Sequence, residues 1–193
     1  CSDELQYYTD STENAAHDGN GNMVITTRAV DDPAASGLSC WYGPCKYTSA
    51  RLIAEDKYTF QHGRVEVRAK MPDGEAGIWP AIWSLGDDFR EVGWPQTGEI
   101  DIMEYVGKLP TEIFGTIHGP GYSGGQSFGG THDFGTDLSN QWLTFSVEWE
   151  QGQIRWYVQR DGGERILFHT ATPQDVAPNE WVYEHPFFLL MNM

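Results

Sequence analysis

Three carboxylates stand in the otherwise apolar segment Gly98-Glu99-Ile100-Asp101-Ile102-Met103-Glu104-Tyr105-Val106. In a regular strand Glu99 and Asp101 share a face, and the next residue on that face is Met103, not Glu104. Glu104 joins the other two only across a β-bulge, a device that re-aims side chains next to active sites. Two glutamates with an aspartate between them supply the groups of a glycosidase: an ionised nucleophile, a protonated acid and a third carboxylate that holds the charge pattern. Carboxylates this close cannot all ionise cheaply, so repulsion raises at least one pKa, which is what an acid catalyst needs. From spacing alone, a solvated polar strand face and a calcium site built from the three carboxylates also fit. Ile100, Ile102 and Val106, in a neighbourhood thick with tryptophan, favour a central strand over a solvated edge.

Flat sugar faces stack on indoles, so exposed tryptophans are the natural companions of such a site. Trp79 and Trp83 are four residues apart, which puts them on one face of a strand, and Trp94 lies five residues before Glu99 in the loop that feeds the carboxylate strand. These three are the candidate subsites; the alternative home for each is the core. Trp142, Trp149, Trp156 and Trp181 are assigned to core or edge packing. In Cys40-Trp-Tyr-Gly-Pro-Cys45 the Gly-Pro turn brings two thiols within reach of a disulfide, the alternative being two free thiols. A bridge implies an oxidising, extracytoplasmic compartment, here read as extracellular. No further His or Cys at ligand spacing offers zinc as a competitor, so no metal site is assigned, and Cys1 is left over.

The elements that must position these groups read as strands. Val65, Val67 and Ala69 alternate with Arg64, Glu66 and Arg68. Trp142–Glu150 and Gln153–Arg160 alternate likewise, and Glu150-Gln151-Gly152 joins them as a hairpin. Further strands are expected at Leu5–Thr9, Met23–Thr27, Tyr47–Ile53, Ile78–Leu85, Glu99–Val106, Ile113–His118, Ile166–Thr170 and Pro186–Met193. Helical periodicity is absent, Asp175–Glu180 forming a single turn at most, and Gly119–Gly135 reads as a mobile surface loop in which Tyr122 and Phe128 cover the site. The length of 193 residues fits one all-β sandwich domain, 1–193, and the 8 Trp, 9 Tyr and 9 Phe exclude a disordered chain. With 12 basic against 28 acidic residues the net charge is −16, which repels nucleic acid and anionic membranes. No apolar run is long enough to span a bilayer. The apolar Pro186–Met193 ends the chain without a polar tail, so terminal strands are expected to be missing.

Glu99-Ile-Asp-Ile-Met-Glu104 resembles the E-I-D-x-x-E signature of glycoside hydrolase family 16, and Gly77-Ile-Trp-Pro-Ala-Ile-Trp83 and Gly63-Arg-Val-Glu-Val-Arg68 are similar to its flanking segments. The similarity runs from Glu4-Leu-Gln-Tyr-Tyr-Thr9 to Pro186-Phe-Phe-Leu-Leu190, and the six-residue form with the bulge resembles the bacterial laminarinase branch. The resemblance implies a jelly-roll β-sandwich with a concave cleft and a secreted, retaining endo-β-1,3-glucanase acting on β-1,3-glucan. It implies Glu99 as nucleophile, Glu104 as acid/base and Asp101 as the aspartate between them, with the two glutamate carboxyls about 5–5.5 Å apart. Arg51 and Arg64 match positions lining the cleft, and His118 matches a histidine near the acid. No cofactor is implied for catalysis; a structural calcium is usual in the family, with ligands not placed here. No nucleic acid or membrane partner is expected, and the protein should be a monomer. The same fold also carries mixed-linkage glucanases, galactanases and non-catalytic glucan-binding proteins, and the last tend to lose the glutamates that this chain keeps.

Overall fold

Alternation of apolar and polar residues resolves into strands throughout the computed structural model, which describes residues 4–193; Cys1 therefore lies outside the described residues. The chain forms two compact units, residues up to Leu52 with Met191–Met193, and Ile53–Leu190. In the first, β1 (Gln6–Tyr8), β2 (Ala15–His17), β3 (Met23–Ile25), β4 (Arg28–Ala29), β5 (Ser39–Cys40), β6 (Gly43–Pro44) and β7 (Tyr47–Ser49) are all short. They pair as β1-β7-β4, β2-β3 and β5-β6. Buried Asn14 ties them together: its amide donates to the Thr26 carbonyl at 2.8 Å and Thr48 Oγ1 at 3.1 Å, and it accepts from Thr9 Oγ1 at 2.6 Å. Cys40 and Cys45 are joined by a disulfide, their Cα atoms 5.1 Å apart.

After β8 (Arg51–Ile53) come β9 (Gly63–Lys70), β10 (Ala81–Gly86), β11 (Glu99–Glu104), β12 (Glu112–His118), β13 (Phe128–Asp133), β14 (Trp142–Glu150), β15 (Gln153–Arg160), β16 (Ile166–Ala171) and β17 (Phe187–Asn192). They make two sheets, ordered β13-β12-β11-β10-β17-β8 and β16-β15-β14-β9. The inward rows close on each other. Leu143, Phe145, Val147 and Trp149 of β14, and Ile154, Trp156 and Val158 of β15, face Ile100, Ile113 and Ile117 of the larger sheet, none of them more than 3% exposed. Each such burial contributes about 1.5–3 kcal/mol. Trp156 does more than fill space. Its Nε1 donates to the Asp101 carbonyl at 2.7 Å, so one indole of the smaller sheet pins the backbone of the carboxylate strand. Gly115 on β12 makes room for it, since a Cβ there would lie 2.4 Å from Trp156 Cδ1. This is a two-sheet, mostly antiparallel sandwich of the all-β class.

Three expectations change. The segment 119–135 is not one mobile loop: a 3₁₀ turn, Gly124–Gln126, leads into β13, a full edge strand paired with β12. Its glycines serve close approach rather than freedom, because a Cβ on Gly129 would sit 2.8 Å from Thr116 Oγ1 and one on Gly130 2.5 Å from the His169 ring. Phe128 consequently packs on His169 between the sheets, with ring centroids 5.1 Å apart, and Tyr122 is buried. Neither covers the site. The strand expected from Ile78 starts only at Ala81, which leaves Trp79 ahead of it. The expected turn at Asp175–Glu180 forms two residues earlier, as α1 (Pro173–Val176), where Thr172 and Asp175 make a capping box.

Candidate active site

The bulge required by the spacing of Glu99, Asp101 and Glu104 is present. Against β10 the register jumps from Met103↔Ile82 to Asp101↔Trp83, and against β12 from Glu104↔Phe114 to Asp101↔Thr116, so β11 carries an extra residue relative to both neighbours. Ile102 and Met103 are both buried there, and the three carboxylates fall on one face. Cross-strand partners share that face: Leu85 and His118 flank Glu99, Trp83 and Thr116 flank Asp101, and Ala81 and Phe114 flank Glu104.

Each glutamate is met by a different indole. Trp94 Nε1 donates to Glu99 Oε2 at 2.6 Å, and Trp79 Nε1 donates to Glu104 Oε1 at 3.1 Å. Both rings are open to solvent, Trp79 at 55% and Trp94 at 44%, as a sugar platform requires. Thr116 Oγ1 donates a longer bond to Glu104 Oε2 at 3.4 Å. Asp101 is 3% exposed, with His118 Nε2 3.0 Å from its Oδ2. Trp83 lies beside Asp101 but is partly buried, packed on Leu85, Phe188 and Leu190, so it serves as floor more than platform.

The two arginines assigned to the cleft behave differently. Arg64 is not brought to the carboxylates: alternation on β9 turns Val65, Val67 and Ala69 inward and Arg64 to the outer surface of the other sheet, where it pairs with Glu66. Arg51 Nη2 lies 2.6 Å from Glu4 Oε1 and its guanidinium stacks over Tyr8, 4.4 Å from the ring centroid, within the first unit.

The electrostatics are those of a proton-holding array. Burial, and then the Asp101 charge, push Glu99 up to about 8, opposed by His118 and by the Trp94 hydrogen bond. Burial and the Glu104 charge hold Asp101 well above the usual carboxylate range. Glu104 is raised too, chiefly by burial, with the Trp79 bond, His118 and Thr116 opposing. The array therefore keeps at least one proton at neutral pH, and its indole and imidazole donors favour ionisation of the rest.

Among the described residues, one group of three His, Cys, Asp or Glu side chains has ligand atoms near enough to share an ion, and it is Glu99, Asp101 and His118. Calcium takes six to eight oxygens. Two carboxylates and an imidazole do not fit the structural calcium.

Several residues that shape the site are not announced by the sequence. Thr116 and the pinning pair Trp156 and Gly115 carry no local signature; only the register shows that Thr116 faces Asp101.

A bulged strand presenting a carboxylate trio between exposed indoles, on a two-sheet sandwich, is the arrangement of groups that glycoside hydrolysis by paired carboxylates uses. Residues 3–181 match Glycosyl hydrolases family 16, and the chain belongs to that family. It is 36% identical to the Glucan endo-1,3-beta-glucosidase A1 of Niallia circulans, over 98% of this chain and 28% of that protein. It is also 36% identical to the Beta-glucanase of Rhodothermus marinus, over 98% of this chain and 64% of the relative. The chain thus spans less than two thirds of the length of these curated relatives. In structure it is similar to the laminarinase catalytic domain from Thermotoga maritima MSB8, with a TM-score of 0.85 and 45% identity, covering 98% of this chain and 71% of that one.

Proposed function

We propose that this chain is the catalytic module of a retaining endo-β-1,3-glucanase. The observation that carries the reading is the pairing of two glutamates on one face of a bulged strand, each with an exposed indole at its carboxylate. Glu99 attacks the anomeric carbon while Glu104 protonates the leaving oxygen. Glu104, now a base, then removes a proton from the water that releases the glycosyl-enzyme, and recovers its own. Asp101 lies between them: its charge raises Glu99, and the charge of Glu104 raises Asp101 in turn. Nucleophile and proton both come from carboxylates of the chain, so the chemistry calls for no cofactor.

The substrate assignment rests on the relatives named above and on charge: −16 suits a neutral glucan and repels a sulfated one. The Cys40–Cys45 disulfide supports an extracellular setting. Within this reading Glu99, Asp101 and Glu104 are catalytic, and Trp79, Trp94 and Trp83 line the sugar path. Release of reducing ends from laminarin, lichenan and agarose in parallel tests it. Laminarin should be the best substrate, and Glu99→Ser should lose about 10,000-fold or more. Binding without release, or a Glu99→Ser variant that stays active, would overturn the proposal.

A further inference from the structure

Trp94 reaches Glu99 from an excursion of the chain, not from a strand. β10 ends at Gly86 and β11 begins at Glu99, so residues 87–98 leave the sheet and return to it. Within them Phe89–Val92 form one helical turn, and the exposed Trp94 follows it, its Nε1 2.6 Å from Glu99 Oε2. An indole carried outside the sheet keeps a hydrogen bond of that length only if the excursion itself is held.

The fastening lies at the neck. Thr97 is fully buried, and its Oγ1 donates to Asp88 Oδ1 at 2.6 Å, joining the two ends of the excursion. Asp88 occupies the N-cap position of the helical turn, where an aspartate ordinarily accepts from the turn's own amides. It makes no such bond, and its carboxylate is turned to Thr97 instead. The Thr97 amide donates to the Gly93 carbonyl at 3.0 Å, and the Thr97 carbonyl accepts from His185 Nε2 at 3.1 Å. Trp94 is thus bracketed by bonds that close on Thr97. Beside it stands Gly86, where a Cβ would lie 2.3 Å from the Thr97 carbonyl oxygen and equally close to its Oγ1, so the neck has no room to slide. The other tether joins Arg90 to Glu55 at 2.7 and 3.0 Å, but the arginine is exposed, a setting in which ion pairs contribute little.

We propose that Thr97 is a positioning residue: its hydroxyl, bonded to Asp88, locks the neck of the 87–98 excursion and so sets the Trp94 indole against Glu99. The assignment rests on the reading of Glu99 as nucleophile and of Trp94 as part of the sugar path.

Two readouts separate this role from a merely structural one. In nitrogen-15 NMR the Trp94 indole N–H, identified by its loss in Trp94→Phe, should shift in Thr97→Val and return in Thr97→Ser, which keeps the hydroxyl. On laminarin, Thr97→Val should lower kcat/KM by about tenfold, and Thr97→Ser by no more than about twofold. Asp88→Ala removes the same bond from its other end and should match Thr97→Val; it replaces that variant if Thr97→Val does not fold. The decisive comparison is a double-mutant cycle. In a Trp94→Phe background, Thr97→Val should cost no more than about twofold further, because the group it positions is already gone. A full tenfold further loss there would overturn the proposal, since Thr97 would then act without Trp94. So would an unmoved Trp94 indole signal in Thr97→Val, or activity equal to the parent's. The indole signal is read without substrate, so it is independent of Glu99→Ser, whose retained activity would sink the proposed function alone.

Discussion

Glu99 and Glu148 are the same residue type on neighbouring layers of one sandwich, and their surroundings push them in opposite directions. On β14, Glu148 lies 2.8 Å from Arg165 Nη1, 3.4 Å from Arg155 Nη2 and accepts from the Tyr157 hydroxyl at 3.0 Å; Arg165 first, then Tyr157, hold its carboxyl below the ordinary range. On β11, Glu99 has no arginine or lysine among the groups that shift it; burial and Asp101 raise it, and an indole and an imidazole are its compensation. The ladder differs as well. From Leu143 to Glu150 the β14–β15 register runs without a break, whereas β11 slips against both neighbours. A regular strand with paired charges serves the fold, and a bulged strand with mutually repelling charges serves chemistry at a cost in stability.

The largest expected effect separates the two strands by activity. Glu104→Gln should lower kcat/KM on laminarin by about 1,000-fold or more, the scale of losing a general acid at an unactivated leaving group. Glu148→Gln, on the outer face of the other sheet, should stay within about twofold. Comparable losses from both would erase the distinction.

Next comes the pin between the layers. Gly115→Ala drives a Cβ into Trp156 and should destabilise by about 1–3 kcal/mol in urea unfolding, as overpacking does. Because Trp156 holds the Asp101 carbonyl, activity should fall even where the variant remains folded. An unaffected midpoint would mean the bulge does not depend on that indole.

The smallest effect is a pH-dependent one. Glu99 is raised from 4.5 to about 8, so the folded state binds its proton more tightly than the unfolded state does. Stability attributable to Glu99 is present below its unfolded pKa and is lost as pH rises through the interval up to about 8. Glu99→Gln should therefore raise Tm over the parent at pH 8, by about 2–4 °C for each kcal/mol relieved, and give no gain at pH 4. Glu148→Gln should do the reverse. Its carboxylate is lowered, so the substitution should lower Tm at neutral pH and lose that effect as pH falls through the acidic range. Equal pH dependence in the two variants would contradict the contrast.

Much of the site was legible because its signal is local. The parity of Glu99, Asp101, Met103 and Glu104 demands a bulge, and the register shows one. The hairpin through Gly152 and the Cys40–Cys45 bridge are likewise short-range features. What was not legible depends on the third dimension. Gly129 and Gly130 look like loop composition, yet they are small because Thr116 and His169 lie against them. Arg64 lies on a strand whose alternation is plain, but which sheet that strand joins is a matter of topology. In the first unit β1, β3 and β7 fall inside expected strands, but β2, β4, β5 and β6, two or three residues long, are too short to show a period. The Gly124 amide, which donates to His118 Nδ1 at 3.0 Å, is backbone, and no residue type announces a backbone donor.

The central claim is that Glu99 and Glu104 act by double displacement, and the stereochemistry of the first product tests it most directly. Proton NMR of laminarin hydrolysis in its first minutes, before mutarotation, should show new reducing ends as the β-anomer, because two inversions at one carbon restore the starting configuration. Initial release of the α-anomer would mean a single displacement by water, and would contradict the assignment of Glu99 as nucleophile.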